Sequence, residues 1–503
     1  MMMSNNDGLR REVKGFLSDF LYHFKQRDVG QLAEFYLYHF HGVSAKFFSK
    51  SQWPSGSKVG KELKELYDDK VFYALYKELH WRHLHWKLSS EVSVFSRSSS
   101  WKDYAALFNV LTETASDDVV VPQEWLYDIV NEFVYQFQDF SQWKESQELM
   151  EMEKKEMNDN PNMWNVGQVS KTLYQIVQRT GVASMSNNDM QKKHKSMKFV
   201  LGYFALMSLC RLQLIAGDYA STKKIVKVLN RMQRFAPKMY AAQVNVQYVQ
   251  GFVQLMSREY EGSFKTFSRM LQNISRSGIL QKQKMSSHER AIKKQFEKSL
   301  HLLAVLHVIC PQLKLSAEIR DRVLEKIGGQ DTFLDASSAK RGFGEAFNIG
   351  CPKFTTGHSL SKTTTSHHLA IFKEDMRFRY ELPRLQKLLR MYKTLSLKRF
   401  VQLDGRRADE GRVVSARQRL VSIKYKTRVK KDEAGAAGAG GDDANAGSTH
   451  FWLEGDNLYI QQEQRKKNFS RFFMTHIRKL RGVVDKFEEE SKSASLPSSG
   501  GSR

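Results

Sequence analysis

The middle of the chain twice repeats one pattern: an apolar helix, a tight turn and a second, amphipathic helix. The segment KFVLGYFALMSLCRLQLIAGDY is apolar almost all round, ends at Gly217 and Asp218, and is followed by a second cycle that begins with VQYVQGFVQLMSREY. Tyr219 and Tyr260 occupy equivalent places 41 residues apart. Helix pairs of this kind stack to bury a shared core, so the spacing predicts a helical-repeat solenoid, with a third pair expected near Leu302. Such a surface favours partner binding over catalysis.

Helical periodicity also runs through the part of the chain before these repeats. Val13, Phe16, Phe20 and Phe24 follow helical steps, and VFYALYKELHWRHLHWKL and QEWLYDIVNEFVYQFQDFSQW continue the pattern. The 503 residues include only 8 prolines, and 41% of them are hydrophobic, which excludes a chain that is disordered throughout. This part is therefore predicted to form a helical domain.

The pattern changes after a loop-rich stretch at about 327–368. Two short helices, around 396–405 and from about Asp409, precede HFWLEGDNLYIQQ, whose apolar and polar residues alternate about Gly455-Asp456-Asn457. This alternation predicts a β-hairpin. The Ala/Gly-rich segment 433–449 has no periodicity and is expected to be a flexible loop. Two helices followed by a hairpin are the order of a winged helix.

The last predicted helix, from Lys467, carries apolar side chains at alternating spacings of 4 and 3 residues, the heptad pattern of a helix that packs against other helices. A single helix of this kind must bury its apolar side against another surface, so we predict that it holds the chain to partner subunits. The candidate interface residues are Phe469, Phe473, Ile477, Leu480, Val484 and Phe487.

These patterns predict a mainly α chain in which a helical N-terminal domain and TPR-like helical repeats precede a winged helix with a small β-hairpin and a trailing C-terminal helix. The predicted parts are an N-terminal helical domain (1–185), a TPR-like repeat part (186–380), a winged helix (381–465) with a flexible insertion at 432–449, a C-terminal bundle helix (466–488) and a disordered tail (489–503).

Charge points to a polyanionic partner. The chain carries 79 Lys and Arg against 54 Asp and Glu, a net charge of +25, and residues 384–431 alone hold 16 basic and 3 acidic residues. Phosphate contact by this cluster and a merely solvated basic face remain alternatives. Arg417 and Lys424 fall on the apolar side of the second helix, so either the helix ends early or both side chains reach around its edge. The candidate RNA or ribosome contacts are Arg406, Arg407, Arg412, Arg419, Lys424, Lys426, Arg428, Lys430 and Lys431.

No pattern in the sequence favours an enzyme. GSKVGKE (56–62) has the wrong glycine spacing and lacks the hydroxyl residue of a phosphate-binding loop, so a turn that opens a helix is the better interpretation. His80, His83 and His85 lie among Lys and Arg with one nearby acid, which favours a structural role over metal binding. We therefore expect no catalytic residues, no metal site and no cofactor.

The cellular compartment follows from the cysteines and the apolar runs. Three scattered cysteines, Cys210, Cys310 and Cys351, argue for a reducing compartment, and Cys210 is expected to be a small core residue. No uninterrupted apolar run reaches about 18 residues, and the first residues do not form a secretory signal. We expect a cytoplasmic protein without a membrane partner.

Long strings in the chain resemble a known family. VFYALYKELHWRHLHWKL, PQEWLYDIVNEFVYQFQDFSQW, NPNMWNV, LGYFALMSLCRLQLIAGDY and CPKF occur in the order found in the family of subunit L of eukaryotic translation initiation factor 3. The match spans most of the chain, and its YKEL…RH and EWLYDIV strings do not arise from helical periodicity alone. The Ala/Gly-rich segment 433–449 departs from the family pattern.

The resemblance implies a non-catalytic scaffold subunit with a PCI-type winged helix. It implies that the chain supports binding to the small ribosomal subunit and assembly of the pre-initiation complex. The partners implied are the small ribosomal subunit and other initiation factor 3 subunits, with subunits K and E expected nearest. The charge of the winged helix, independently of the resemblance, makes it the candidate contact to rRNA or mRNA. An autonomous winged-helix nucleic-acid-binding protein and a PCI subunit of the proteasome lid or signalosome remain alternatives.

Overall fold

The computed structural model of the chain forms two compact units, residues 1–376 and 377–503. Both units are mainly helical. The residues that the structure describes are 9–114, 119–146, 150–310, 313–327, 344–355, 367–374, 391–403, 409–421, 449–462 and 470–494.

The first unit consists of consecutive helices joined by short turns. Its helices are α1 (Arg11–Lys25), α2 (Val29–Glu34), α3 (Phe40–Phe47), α4 (Gly56–Glu62), α5 (Lys64–Asp68), α6 (Lys70–Lys87), α7 (Val94–Glu113), α8 (Gln123–Ser146), α9 (Glu151–Asp159), α10 (Val166–Thr180), α11 (Asn187–Lys193), α12 (Met197–Ile215), α13 (Tyr219–Arg231), α14 (Tyr240–Met256), α15 (Tyr260–Arg276), α16 (Ser287–Ile309), α17 (Ala317–Ile327), α18 (344–350) and α19 (367–374).

The two predicted repeats are present with the expected spacing. Helix pairs α12–α13 and α14–α15 each turn through a residue with positive φ, Gly217 and Arg258, and Tyr219 and Tyr260 begin the second helix of each pair. In both turns the next amide donates to a carbonyl five residues back, the C-terminal bond of a Schellman motif. The same local chemistry therefore produces both helical hairpins.

Aromatic and aliphatic side chains form one continuous core through the first unit. Trp53, Phe72, Trp125, Phe204 and Phe252 are among its fully buried side chains. The core extends from the N-terminal helices into the repeats, and the boundary at 185 and 186 stays a prediction.

Helix α12 lies at the centre of this core. It is long and apolar enough to cross a membrane by length and composition, but most of its residues are buried against other helices of the unit. Packing inside the unit accounts for its composition. Cys210 is buried within it, as predicted.

Two expectations for the end of the first unit are wrong. The third helix pair, α16–α17, begins at Ser287 and not near Leu302, because Ser286 and Glu289 form a capping box at that point. The stretch predicted to be loop-rich contains helix α18, and the CPKF string after it packs into the core. Residues 328–343 and 356–366 of that stretch lie outside the described residues.

The second unit contains strand β1 (Thr394–Ser396), helix α20 (Leu397–Leu403), helix α21 (410–421), strands β2 (Thr449–Glu454) and β3 (Asn457–Gln462), and helix α22 (Ser470–Ala494). The strands form an antiparallel sheet in the order β1-β3-β2. Gly455 and Asp456 make the turn, with Gly455 at a positive φ. The predicted fold class is therefore confirmed, and β1 is an addition that the sequence did not indicate.

The C-terminal helix is longer than expected. Helix α22 continues to Ala494, whereas the predicted tail began at residue 489. The predicted insertion 432–449 lies outside the described residues except for Thr449, which begins β2.

Candidate functional site

An apolar stripe on helix α22 is exposed to solvent within this chain. Ile477, Leu480, Val484 and Phe487 are 49%, 65%, 54% and 67% exposed, and Phe473, at 58%, continues the stripe toward the N-terminus. Their spacing places them on one side of the helix. Exposed large apolar side chains that repeat along a helix mark an interaction surface.

Among the described residues, the core of the second unit forms without this stripe. Leu397, Phe400, Leu420, Leu458 and Ile460 are buried together between helices α20 and α21 and the inner face of the sheet. None of the described stripe residues belongs to this cluster. Burial of the stripe therefore requires another surface. Phe469 lies outside the described residues.

The basic candidates of the winged helix are described at two positions. Arg412 and Arg419 both lie on α21, seven residues apart on one side of the helix, and Arg412 is near Asp409, with Nε 3.6 Å from its Oδ2. The buried side of α21 is formed by Val413, Ala416 and Leu420. The other seven candidates lie outside the described residues: Arg406, Arg407, Lys424, Lys426, Arg428, Lys430 and Lys431.

Arg417 resolves one of the alternatives raised by the sequence. It reaches around the helix to the hairpin turn, donating to the carbonyl oxygen of Gly455 at 2.5 Å and to Asp456 at 3.0 Å, and stays half-exposed. This is an edge-reaching side chain. Val421, which follows the buried Leu420 on α21, is 53% exposed.

The strings that carry the family resemblance build a buried polar network in the first unit. Glu78 on α6 is fully buried and accepts hydrogen bonds from Arg82 Nε at 2.8 Å, from Trp125 Nε1 at 3.0 Å and from the Tyr104 hydroxyl at 3.3 Å. Burial raises the pKa of Glu78 well above its usual range, and the bond from Trp125 opposes that rise. A buried carboxyl group with three donors ties helices α6, α7 and α8 together.

Asp128 extends this network to the repeats. Its carboxylate accepts a hydrogen bond from the Tyr36 hydroxyl at 2.5 Å, lies 3.5 Å from Arg82 and is 2.9 Å from His288 Nε2 on α16. Burial lowers the pKa of His288, but the hydrogen bond and charge of Asp128 outweigh this and raise it. The bond joins helices that are 160 residues apart in sequence.

The network explains why polar residues occur at buried positions within these strings. Polar residues at buried positions break the apolar periodicity, and only tertiary packing shows that they meet. The signal in the sequence was the charged Glu78 and Arg82 within a helix rich in aromatic and aliphatic residues. These residues position helices.

The histidines of α6 are buried or nearly so within the first unit. His80 and His83 are buried and His85 is mostly so, and burial lowers the pKa of His83 and of His85 to about 4. Within the described ranges, no three His, Cys, Asp or Glu side chains are grouped to hold a metal ion. The GSKVGKE string is helix α4, capped by Ser55, which is the turn that opens a helix. No strand precedes it among the described residues.

Comparison with known proteins gives a consistent result. The family model described as RNA polymerase I-associated factor PAF67 matches residues 96–480. "Eukaryotic translation initiation factor 3 subunit L" of Nematostella vectensis is 27% identical over 497 residues, covering 93% of this chain and 91% of that protein. The proteins of the same name from Aedes aegypti and Xenopus tropicalis are 28% and 27% identical and cover 94% and 87% of this chain.

The family model spans about three quarters of the chain, and the similarity to these relatives runs through both units. The chain belongs to this family, the family of subunit L of eukaryotic translation initiation factor 3.

Proposed function

We propose that the chain is a non-catalytic scaffold subunit of eukaryotic translation initiation factor 3, without a cofactor, which supports binding to the small ribosomal subunit and assembly of the pre-initiation complex in the cytoplasm. The observation that carries the proposal is the apolar stripe of helix α22, which stays exposed and takes no part in the core that the described residues of the second unit form. The names of the relatives supply the identity of the complex.

The stripe suits a permanent contact with other helices. Ile477, Leu480 and Val484 repeat at heptad spacing, and each is about half-exposed or more. Full burial of a side chain of this size contributes about 1.5–3 kcal/mol, so three or four of them favour stable association. We propose that initiation factor 3 subunits cover this stripe, with subunits K and E as the first to test.

The winged helix supplies a different kind of contact. Arg412 and Arg419 lie on one side of α21, in a segment with a large basic excess. Phosphate contacts of this kind weaken with salt, whereas the apolar stripe does not depend on charge. We propose that the basic face adds reversible contacts to rRNA or mRNA.

Affinity purification of the tagged full-length protein from lysate, with and without ribonuclease, tests this function. We expect mass spectrometry to find initiation factor 3 subunits in both samples, and small-subunit ribosomal proteins mainly in the undigested sample. Recovery of RNA and scattered ribosomal proteins alone, lost on digestion, would identify an autonomous nucleic-acid-binding protein instead. Recovery of RNA polymerase I subunits without initiation factor 3, or of proteasome lid or signalosome subunits, would likewise contradict the proposal.

A further inference from the structure

A second basic cluster lies in the helical repeats, far in sequence from the winged helix. Residues 190–240 contain 11 Lys and Arg and a single acidic residue, Asp218. Eight of these cations are exposed on the surface of the first unit: Lys224 and a set of seven others. We call this set the repeat basic patch, and its members are Lys192, Lys193, Lys195, Lys227, Arg231, Arg234 and Lys238.

The fold brings the two halves of the patch together. The Arg231 guanidinium donates to the carbonyl oxygen of Ala183 at 2.5 Å, before helix α11, and the rings of His194 and Phe235 lie 6.2 Å apart after it. Both ends of α11 therefore lie beside the end of α13 and the short 3₁₀ turn that follows. The cations of 192–195 and those of 227–238 belong to one surface.

Helical spacing arranges the second half of the patch. Lys227, Arg231 and Arg234 follow one another at intervals of four and three residues, so they project from one side of α13 and the 3₁₀ turn. One turn of an α-helix rises 5.4 Å, so successive charges lie about that far apart along the helix axis. A row of cations at this spacing matches an extended chain of negative charges.

The acidic groups nearby do not neutralise the patch. None of the seven cations has an ion pair with a described residue, and Glu259 is paired with Lys223 outside the patch. Asp218 caps helix α13, and Asp189 accepts a hydrogen bond from Ser186 at 2.6 Å. Of these acids, Asp189 interacts electrostatically with two members of the patch, Lys192 and Lys193.

The patch lacks the apolar anchors of a protein interface. No large apolar side chain that the structure describes between residues 175 and 348 is exposed, whereas protein interfaces are centred on buried aromatic and aliphatic residues. Exposed amides, Asn187, Asn188, Gln191 and Gln233, lie among the cations instead. Lys and Arg with interspersed amides form the usual set of contacts to phosphate and sugar oxygens.

We propose that the repeat basic patch binds the phosphate backbone of RNA. The inference goes beyond the proposed function, which assigns RNA contact to the winged helix, and it does not depend on membership in the complex. Binding by such a patch is independent of base sequence and is set by the number of phosphates that the cations contact.

Binding of the purified full-length chain to a fluorescently labelled single-stranded RNA of mixed sequence, across a potassium chloride series, tests this proposal. The variant Lys227→Glu, Arg234→Glu and Lys238→Glu keeps Arg231 and its bond to Ala183. We expect its affinity at low salt to fall by about tenfold or more, and the slope of log affinity against log salt to decrease by about 2, since each phosphate contact on a single strand contributes about 0.7.

The matched control places the same charge change on another exposed surface of the first unit. The variant Lys58→Glu, Lys61→Glu and Lys64→Glu alters helices α4 and α5, and we expect a change in affinity below about twofold. An equal loss in both variants would overturn the proposal, because net charge alone would then explain it. Unchanged RNA affinity in the patch variant, with or without loss of a protein partner, would also overturn it. Affinity purification tests complex membership separately.

Discussion

Helices α12 and α22 are both rich in apolar residues, yet the chain buries one and exposes the other. Helix α12 is apolar almost all round and lies inside the core of the first unit. Helix α22 has one apolar stripe, centred on Leu480, and basic residues such as Arg478 and Lys479 beside it. Helix α12 is therefore buried by its own unit, whereas helix α22 keeps its apolar stripe exposed within this chain.

The same contrast applies to polar side chains. In the first unit Glu78, Arg82 and Asp128 are held in a network with little access to water. In the second unit the described charged pairs, such as Arg417 with Asp456, are half-exposed. Mutations should therefore destabilise the first unit through its interior and alter the second mainly through its contacts.

Replacing Arg82 by alanine should have the largest effect on stability. The change removes the cation beside the buried carboxyl group of Glu78 and leaves His288 as the remaining basic partner of Asp128 among these groups, and breaking a buried pair costs about 3–5 kcal/mol. Urea unfolding followed by tryptophan fluorescence measures this loss. The exposed pair of Lys154 and Glu151 provides the control, since Lys154→Ala should cost about 0.5 kcal/mol or less. A loss below about 1 kcal/mol for Arg82→Ala would remove the network from the account.

Gly217→Ala should destabilise the first unit by about 2–3 kcal/mol. Gly217 has φ +81°, and a Cβ atom there would lie 2.7 Å from His368 Cε1. In a His368→Ala background the cost should fall to about 1–2 kcal/mol, because only the backbone strain remains. Gly15, in the interior of α1 with open space around it, is the matched control: Gly15→Ala should stabilise the protein by about 0.5–1 kcal/mol. Equal effects at the two glycines would contradict the packing of α19 on this turn.

The contribution of two buried histidines to the stability of the first unit should decrease as the pH falls below about 6.5. Burial lowers the pKa of His83 and of His85 to about 4 from an ordinary value of 6.5, so the unfolded chain binds more protons between these values. The stabilisation is complete above pH 6.5 and is lost as the pH falls toward 4, with up to about 3 kcal/mol from each histidine.

Urea unfolding at several pH values measures this dependence, and His83→Leu should reduce it. His288 does not confuse the result, because Asp128 raises its pKa and its contribution is present below pH 6.5 and lost at higher pH. A pH dependence that is the same in His83→Leu would show that other groups cause it.

Arg417→Ala should have a small effect confined to the second unit. The half-exposed guanidinium loses its bonds to Gly455 and Asp456, which should cost about 0.5 kcal/mol after screening by solvent. Hydrogen exchange at the amides of β2 and β3 should become about twofold faster, while exchange in α12 stays unchanged. Faster exchange in both units would indicate that the hairpin is not an independent part of the fold.

Much of the fold could be predicted because it depends on local patterns. Helical periodicity indicated α6, α8 and α12, and Gly455 with Asp456 indicated the hairpin turn. Strand β1 was missed because three residues carry no periodicity and its pairing with β3 is a tertiary contact. Helix α18 was missed because Gly and Ser/Thr-rich segments surround it, although Phe347 is fully buried.

The candidate sites show the same limit. The heptad spacing of α22 was visible in the sequence, and the structure places Ile477, Leu480 and Val484 on its exposed side. Which residues share a surface was not visible in the repeats, because Ala183 and Arg231 meet only after α11 and α13 have packed. Contacts between segments that are distant in sequence depend on tertiary structure. For that reason the partners of Glu78 and Asp128 could not be assigned from residue spacing.

The most direct test of the account replaces Ile477, Leu480 and Val484 by aspartate in the tagged full-length protein and measures initiation factor 3 subunits retained on purification. The control variant keeps the stripe apolar, with Ile477→Leu, Leu480→Met and Val484→Ile. We predict that the aspartate variant loses the other subunits while the first unit unfolds at the same urea concentration as in the parent protein, and that the control retains them. Full retention by the aspartate variant would contradict the role assigned to the stripe.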